Sequence, residues 1–294
     1  MFSIHYLPCL IGATLLFIGG TAALAQPLGF EPVQFLNSNA ATGSGDDTDP
    51  VIATDEDGVW IAAWSSEENL GGTIGDDTDI LYARSLDNGA TWSSAAALNT
   101  DAAADADGPT AFDFDSDLVP TLATDGNGIW VAVWSSQGTG ADSTDTEIVF
   151  ARSTDDGATW SAPSVLNIDA SIDDFNGGAF IDTNPHLATD SAGNWFVVWS
   201  SQTDLGGMDF DLDIIGSRSN DNGQTWSSFF TVSSNATNTP SGGTGDLDPK
   251  ILHAGSDDWV VVWWSREDLG SIGTDEDIFV ARTLDGGATW QTVQ

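Results

Sequence analysis

Apolar and polar positions alternate along this chain in an order that repeats four times. Each repeat has a proline-led run, a run bounded by two tryptophans and an isoleucine-led run, separated by segments rich in Gly and Asp. The Pro-led runs begin at Pro50, Pro120, Pro185 and Pro249, the Trp-bounded runs span 60–64, 130–134, 195–199 and 259–263, and the Ile-led runs begin at Ile80, Ile148, Ile214 and Ile278. Short apolar runs rich in β-branched and aromatic residues predict β-strands. Proline fits the first position of a strand, where its missing N–H does least harm.

The paired tryptophans predict how the strands pack. Two residues four apart in a strand point to the same face, so each repeat presents two indoles to one side. Because the pair recurs in every repeat, we expect these side chains to be buried between neighbouring sheets. Stacking of a sugar ring on one of them is the alternative.

An eight-residue motif follows each Ile-led run. Its copies span 85–92, 153–160, 219–226 and 283–290, and each has the form Ser/Thr-x-Asp-x-Gly-x-Thr-Trp. The closing residues Trp92, Trp160, Trp226 and Trp290 are 68, 66 and 64 residues apart. Asp can bond its own backbone two residues on and Gly accepts positive φ, so the motif predicts a tight turn into a fourth strand. Four strands in each of several repeats indicate the blades of a β-propeller.

This motif resembles the Asp-box of the bacterial neuraminidase repeat, found in the sialidase-like superfamily. The resemblance implies an all-β propeller with the box on the turn between the third and fourth strands of a blade. We predict four four-stranded blades, at about 45–100, 115–168, 180–234 and 245–294. Segment 30–38 resembles the strand after each box, and we expect it to complete the last blade and close a four-bladed ring. A fragment of a six-bladed sialidase-like propeller is the rival prediction.

The N-terminus has the pattern of an export signal. Leu7–Gly20 is an apolar stretch, and Ala23-Leu24-Ala25 is a small-x-small cleavage site, so we predict a signal peptide over 1–25 and a propeller over 26–294. This predicts a secreted or periplasmic protein without a retained membrane anchor. Cys9 is the single cysteine, so the mature chain would have no disulfides.

The net charge of the chain limits the classes of ligand that it is expected to bind. The formal net charge is −39, with 45 acidic residues against 6 Lys and Arg. Such a surface repels nucleic acid and anionic membranes, and it favours solubility and cation binding. Adaptation to a salty environment would give the same composition.

Acidic residues recur at fixed places on the loops at the propeller end away from the boxes, which we call the rim. Every repeat has an Asp three residues before its Pro and an Asp-x-Asp/Glu pair before its Ile. Hard cations such as Ca²⁺ bind carboxylate and carbonyl oxygens on adaptable Gly-rich loops. The alternative is that each Asp caps its own turn. The candidate Ca²⁺ ligands are Asp47, Asp77, Asp79, Asp117, Asp145, Glu147, Asp182, Asp211, Asp213, Asp246, Asp275 and Asp277.

The residues do not match a sialidase active site. The resemblance implies three converging arginines, a Tyr–Glu nucleophile pair and an Asp acid/base. Here Arg84, Arg152, Arg218 and Arg282 are repeat-equivalent, each directly before a box, which predicts a structural role beside box acids. The mature chain's single Tyr, Tyr82, lies within a strand. We therefore predict no catalytic residues and a non-catalytic binding or scaffold module; the alternative is a glycoside hydrolase of sialidase-like fold.

The last repeat breaks the pattern at the rim. Trp264 replaces the serine found at 65, 135 and 200, and Arg266 replaces Glu or Gln. With Glu267 and Asp268 they combine an aromatic face, a cation and acids, a composition that suits a glycan or a protein ligand. Sequence drift in one repeat is the alternative. His186 and His253 lie in first strands without a paired His, which predicts core or channel lining.

Overall fold

The computed structural model describes part of the chain, and it is all β there. The described residues are 35–37, 43, 45–75, 77–104, 116–137, 145–166, 181–202, 212–233, 245–266, 268, 273 and 275–291. The predicted signal peptide, residues 1–25, lies outside them, as do Asp211 and Glu267. In the described ranges no helix has the length and apolarity that crossing a membrane requires.

The strands form four antiparallel sheets, one for each repeat of the sequence. The first sheet contains β1 (Asp47–Thr54), β2 (Trp60–Ser66), β3 (Asp79–Ser85) and β4 (Ala96–Ala97). The second contains β5 (Asp117–Thr124), β6 (Trp130–Gln137), β7 (Thr146–Ser153) and β8 (Ser164–Val165). The third contains β9 (Asp182–Thr189), β10 (Trp195–Ser201), β11 (Asp213–Ser219) and β12 (Phe230–Thr231). The fourth contains β13 (Asp246–Gly255), β14 (Asp258–Ser265) and β15 (Asp277–Thr283). The predicted four-strand order is confirmed in the first three repeats, and the first three strands of the fourth repeat are confirmed.

Each first strand carries a kink just before its proline. The residue preceding Pro adopts positive φ in all four sheets, and the pairing with the second strand shifts register around it. The kinked residues are Asp49, Val119, Asn184 and Asp248, with φ between 50° and 56°. This conformation is unusual for any residue before proline and most unusual for the β-branched Val119. Such bulges re-aim side chains, and here they separate the rim acids from the rest of the strand.

Consecutive sheets pack face to face through the paired tryptophans. The first strands β1, β5, β9 and β13 contact one another in that order. Trp130, Trp134, Trp195 and Trp199 are fully buried. Each pair packs in a cluster with apolar residues of the preceding sheet, such as Ile61 or Val131. A buried tryptophan removes about 150–250 Å² from water, so these faces hold the sheets together. The predicted core role between sheets is confirmed for the pairs of the second, third and fourth sheets. In the first sheet Trp64 is buried beside Leu36 and Trp60 is half-buried.

The face of a sheet that contacts the next sheet is called its outgoing face, and the face that contacts the preceding sheet its incoming face. A glycine of each of the last three Asp-boxes touches the outgoing face of the preceding sheet. A Cβ built on Gly157 would lie 2.0 Å from Cδ1 of Ile61, and one on Gly223 would lie 2.7 Å from Cγ2 of Val131. One on Gly287 would lie 2.6 Å from the Phe196 ring. The box glycine therefore serves both the positive φ of its turn and the close approach of two sheets.

The arginine before each box joins the same interface. Nε of Arg84 donates to the carbonyl of Asp156 at 2.7 Å, Nε of Arg152 to the carbonyl of Asn222 at 2.6 Å, and Nη1 of Arg218 to the carbonyl of Gly286 at 2.6 Å. The predicted structural role is confirmed, but the partner is a box carbonyl of the next sheet rather than a box acid. A charge-assisted bond of this kind spans each of the three interfaces.

The closing strand and the ring stay predictions. Among the described strands, β1 and β13 are not in contact. Of segment 30–38, the structure describes 35–37: Leu36 packs on the first sheet beside Trp64, and Nδ2 of Asn37 donates to Oδ2 of Asp47 at 2.6 Å. Residues 30–34 and 38 lie outside the described ranges.

Two adjacent glycines of the last box allow the stability cost of disturbed sheet packing to be measured apart from the cost of strain in the turn. Gly286 and Gly287 have φ of 64° and 82°, but a Cβ on Gly286 would meet no atom within 4 Å. We expect Gly286→Ala to lower the free energy of unfolding by about 1 kcal/mol through left-handed strain. Gly287→Ala should cost about 1–3 kcal/mol more, since it overpacks the Phe196 contact. Urea unfolding of both variants measures the difference, and equal costs would contradict the contact.

Candidate functional site

The Asp-box is a self-contained turn that closes on its own side chains. In the first box, the amide and hydroxyl of Thr91 donate to the two carboxylate oxygens of Asp87 at 2.8 and 2.7 Å, and the Ser85 hydroxyl donates to the same group at 2.8 Å. The indole N–H of Trp92 donates to the Gly89 carbonyl at 3.1 Å. Asp155, Asp221 and Asp285 accept the same set of bonds. Both carboxylate oxygens of each box Asp accept bonds from the turn itself, so the box serves as scaffold.

These bonds also fix the charge of the box acids. The Thr289 amide, the Thr289 hydroxyl and the Thr283 hydroxyl lower the pKa of Asp285 to about 2. The pKa of Asp87 is lowered by the Thr91 hydroxyl and amide and then by Ser85. Since a carboxylate that accepts several bonds is stabilised in its charged form, these groups are ionised under ordinary conditions.

The rim acids fall on one row across each sheet. A first-strand acid, a second-strand serine and a third-strand acid lie directly opposite one another in the strand register. Directly paired residues share a face of the sheet, so each row presents two acids and a hydroxyl together. The rows are Asp47–Ser66–Asp79, Asp117–Ser136–Glu147, Asp182–Ser201–Asp213 and Asp246–Ser265–Asp277.

Side chains of the same sheet hold several of these acids in place. Oδ1 of Asp47 accepts from the Trp64 indole at 3.0 Å and the Ser66 hydroxyl at 2.6 Å. Oδ1 of Asp79 accepts from the Asn99 amide group at 2.7 Å. One acid does cap its own backbone: Oδ1 of Asp145 accepts from the Thr146 amide at 2.8 Å. Asp145 therefore caps its own turn, as the alternative prediction has it. Asp47 and Asp79 are instead held by side chains from other parts of the sheet.

The rows meet the neighbouring sheet at each junction. The Asp117 amide donates to the carbonyl of Thr78, which lies between Asp77 and Asp79, at 2.7 Å, and the Asp246 amide donates to Leu212 at 2.6 Å. Eight acids at or beside these junctions are buried: Asp77, Asp79, Asp117, Asp145, Glu147, Asp182, Asp213 and Asp246. Asp47, Asp275 and Asp277 are more exposed. The rim thus concentrates carboxylates in a low-dielectric region between sheets, where holding several negative charges is costly.

No preformed metal centre occurs in the described ranges. Groups of three or more His, Cys, Asp or Glu side chains placed to hold a metal ion are absent from them. Asp211 lies outside those ranges. The row geometry supplies pairs of carboxylates, so a bound cation would take further oxygens from carbonyls, hydroxyls or water.

Trp264 lies on the outgoing face of the fourth sheet, half-buried, and opposite Ile278. At the equivalent positions Ser65, Ser135 and Ser200 are buried. Cζ of Arg266 lies 5.8 Å from the centre of the Trp264 ring, and the guanidinium also pairs with Glu276. The structure therefore confirms that the aromatic face and the cation lie together.

The other two predicted members of this patch are Asp268, which the structure describes, and Glu267, which it does not. Oδ1 of Asp268 accepts from the Gly273 amide at 3.0 Å, which folds the loop after β14 back on itself. Glu267 lies outside the described ranges.

A groove that the sequence pattern does not predict lies at the box end of the second and third sheets. A cavity of about 680 Å³ is lined by Phe150, Arg152, Thr159, Trp160 and Gln224, among others. The signal in the sequence is Gln224, which replaces the Ala found at 90, 158 and 288. Its side-chain amide donates to the Asp221 carbonyl at 2.8 Å.

Tyr82 and His186 have structural partners across sheet junctions. The Tyr82 hydroxyl donates to the Ala158 carbonyl at 3.4 Å, and burial raises the pKa of the phenol. Nδ1 of His186 accepts from the Ile251 amide at 3.2 Å. Burial, then the charge of Lys250, lowers the pKa of His186 to about 4, so its imidazole is neutral. His186 therefore fits the core role that its lone position predicts.

Sequence and structure comparisons agree on the fold. Residues 58–294 match the model of the BNR repeat-like domain. Comparison with curated proteins found no match.

Several solved structures share the arrangement at low identity. An α-L-arabinanase from Penicillium chrysogenum complexed with arabinobiose is 17% identical, covering 83% of this chain and 66% of that one, with a TM-score of 0.55. An α-L-arabinofuranosidase from Fusarium graminearum with arabinobiose is 16% identical, covering 82% of this chain and 62% of that one, with a TM-score of 0.51. An intramolecular trans-sialidase from Ruminococcus gnavus is 13% identical over 86% and 71%, with a TM-score of 0.56. The chain thus spans less than two thirds of the length of the two fungal enzymes, and the likeness shows the propeller fold.

The lowered pKa values of the box acids predict that the folded protein loses stability at acid pH. Because the pKa of Asp285 is lowered from 3.8 to about 2, its ionised form stabilises the fold above about pH 4, and this stabilisation is lost as pH falls towards about 2. We expect Asp285→Asn to be less stable than the wild type near neutral pH, with the gap narrowing below about pH 4. Urea midpoints from about pH 6 to about pH 2 measure this gap, and a constant gap would contradict it.

Proposed function

We propose that this chain, which belongs to the BNR repeat-like domain family, is an exported, non-catalytic β-propeller module that binds a glycan at the rim end of its fourth sheet. The observation that carries the proposal is Trp264, an aromatic face in a position that is a buried serine in the other sheets. The Arg266 guanidinium beside it adds donors for hydroxyl or carboxylate oxygens.

Carbohydrate is favoured over other ligands by the chemistry of this patch. The half-buried indole of Trp264 offers an apolar surface with a polar edge, which matches the faces of a pyranose or furanose ring. Arg266, Glu276 and Asp268 surround it with donors and acceptors for hydroxyl groups. The solved structures that resemble this chain include proteins with arabinobiose bound, which supports a sugar as the first ligand to test. A protein ligand on the same patch is the alternative.

The role of the arginines supports binding without catalysis. Arg84, Arg152 and Arg218 donate to box carbonyls between sheets, at the end opposite the rim. Tyr82 is engaged by Ala158 at the same end. The groups that would hold and attack a sialic acid in the resembled enzymes therefore have other partners here, and glycoside hydrolysis is the runner-up function.

Reverting Trp264 to the residue of the other repeats tests the glycan site. Trp264→Ser should preserve the fold and weaken binding of the recognised sugar at least about tenfold, since loss of about 1.4 kcal/mol of contact between the indole and the sugar ring raises the Kd tenfold. Arabinobiose and 3′-sialyllactose serve as neutral and anionic probes in calorimetric titrations. Leu284→Ser, an exposed apolar residue at the box end of the same sheet, is the matched control and should bind like the wild type.

Equal binding by the wild type and Trp264→Ser, or no saturable binding of either sugar, would contradict the glycan proposal. Release of monosaccharide from either probe, lost in Glu267→Gln, would instead establish the hydrolase.

We further propose that the buried rim acids bind Ca²⁺. A divalent cation would offset the charge of carboxylates held between sheets, such as Asp117 and Glu147 in one row. The proposal is supported by the recurrence of the row in every sheet and by the acidic composition.

Calcium removal tests this second proposal. Free Ca²⁺ at about 100 times its Kd should stabilise the protein by about 2.7 kcal/mol, which raises the melting temperature by several degrees. The shift between chelator and Ca²⁺ should shrink in Asp117→Asn and persist in Asp57→Asn, an exposed acid at the opposite end. Identical melting curves in chelator and in Ca²⁺ would sink the metal proposal without affecting the glycan site.

A further inference from the structure

The outgoing face of the fourth sheet is an uncovered copy of a surface that is buried in the other sheets. Leu252 and Ile278 are 70% and 74% exposed, and Val262 and Val280 are also exposed. Val262 pairs with Val280, and Trp264 pairs with Ile278, so these side chains form one continuous apolar strip. At equivalent places in the first three sheets, Ile80, Ile148 and Ile214 are fully buried. A contiguous apolar strip on a sheet face marks an interaction surface.

The first sheet has the complementary face uncovered at its box end. Ile52 is 57% exposed, whereas its equivalents Leu122, Leu187 and Ile251 are buried against the preceding sheet. A Cβ on Gly89 would meet no atom of another sheet within 4 Å, in contrast to those on Gly157, Gly223 and Gly287. Yet φ at Gly89 is 79°, close to the 74°, 71° and 82° of those three glycines. The receiving turn is therefore preformed although no sheet occupies it.

On the outgoing face of the fourth sheet, the arginine also has a different partner from the arginines that lie between sheets. Arg84, Arg152 and Arg218 donate to the box carbonyl of the next sheet. Arg282, their equivalent in the fourth sheet, pairs with Asp258 of its own sheet, and both side chains are partly exposed. Such a pair contributes little to stability and is readily exchanged for another partner. The matching carbonyl on the first sheet belongs to Asn88, whose φ of 59° equals that of Asp156.

Charge sets the fourth sheet apart from the rest of the chain. The sequence has six Lys and Arg, and three of them form the arginine bonds between sheets. The other three, Lys250, Arg266 and Arg282, belong to the fourth sheet or the loop that follows β14. The box end of the first sheet carries Asp55, Glu56 and Asp57. Each of these three cations pairs with an acid of its own sheet or of the following loop, and Arg282 is the one that lies at the box end, where it can exchange Asp258 for a group of the first sheet.

We propose that the outgoing face of the fourth sheet of one copy, from Arg282 to Val262, binds the box end of the incoming face of the first sheet of a second copy. Trp264, at the rim end of the strip, stays accessible to the proposed glycan, because Leu36, Leu70 and Ile74 already pack on the cluster that contains Trp64 of the first sheet. Arg282 of one copy donates to the Asn88 carbonyl of the other, and Gly89 lies against Val260, as Gly157 lies against Ile61 within the chain. The contact is heterologous, since each copy offers one face of each kind, and it leads to rings or chains of copies rather than a two-fold dimer.

Site-directed cross-linking tests the pairing and its direction. In a Cys9→Ser background, which leaves no other cysteine, Ile52→Cys and Leu252→Cys are prepared as separate proteins and treated with a short bismaleimide. We expect a cross-linked dimer when the two are mixed and none from either protein alone. No dimer in the mixture would overturn the proposal. A dimer from either protein alone would also overturn it, in favour of a symmetric contact, and a link formed within the Ile52→Cys/Leu252→Cys double variant alone would show closure within one chain.

Sedimentation velocity over a range of concentrations gives an independent measurement. The mean mass of the wild type should rise with concentration. Val262→Glu and Gly89→Ala should each weaken this association at least about tenfold, because one charges the apolar strip and the other fills the space kept for Val260. Leu284→Ser, outside both faces, should associate like the wild type. A wild type that sediments as a monomer at every concentration, or variants that associate equally, would contradict the proposal.

Discussion

The arrangement of sheets depends on the approach of the glycines of the last three Asp-boxes, Gly157, Gly223 and Gly287, to the outgoing face of the preceding sheet. The turn needs positive φ at this position, and the interface needs the absence of a side chain there. Glycine is the residue that meets both demands without strain. Once the two backbones are this close, the arginine of the preceding strand reaches the box carbonyl, and the paired tryptophans fill the remaining space. The box glycine therefore determines where the arginine, the two tryptophans and the turn of each junction lie.

This constraint divides the molecule into two ends with different chemistry. At the box end the box aspartates accept bonds from their own turns, and three of the cations are fixed between sheets. At the rim the strand register gathers carboxylates into rows, and the kink before each proline separates those rows from the apolar strand below. The side chains proposed to bind ligands therefore lie at the end away from the box turns, so that scaffold and proposed binding groups are separated.

Much of the scaffold was predictable from the sequence, since its signals are local. The spacing of Trp130 and Trp134 indicated a strand with one buried face, and the motif around Asp155 indicated its turn. The partner of Arg152 was not predictable, because spacing along a chain does not reveal which sheet a side chain reaches. Positive φ at Val119 contradicted every local preference and is imposed by the bulge. The exposure of Trp264 depends on what covers the fourth sheet, which sequence periodicity does not encode.

The contacts between sheets run from each one to the next, and this pattern has a consequence for how the protein folds. Each sheet is made of consecutive hairpins, and each of the three junctions joins sheets that are neighbours in the chain. The energetics therefore resemble those of a one-dimensional array, in which stability is a sum of unit and nearest-neighbour terms. In such an array the order of assembly is not set by any single nucleus. Folding can begin at any junction and spread in both directions, and unfolding can proceed from a terminal sheet inwards while the central Trp134 and Trp199 layers persist.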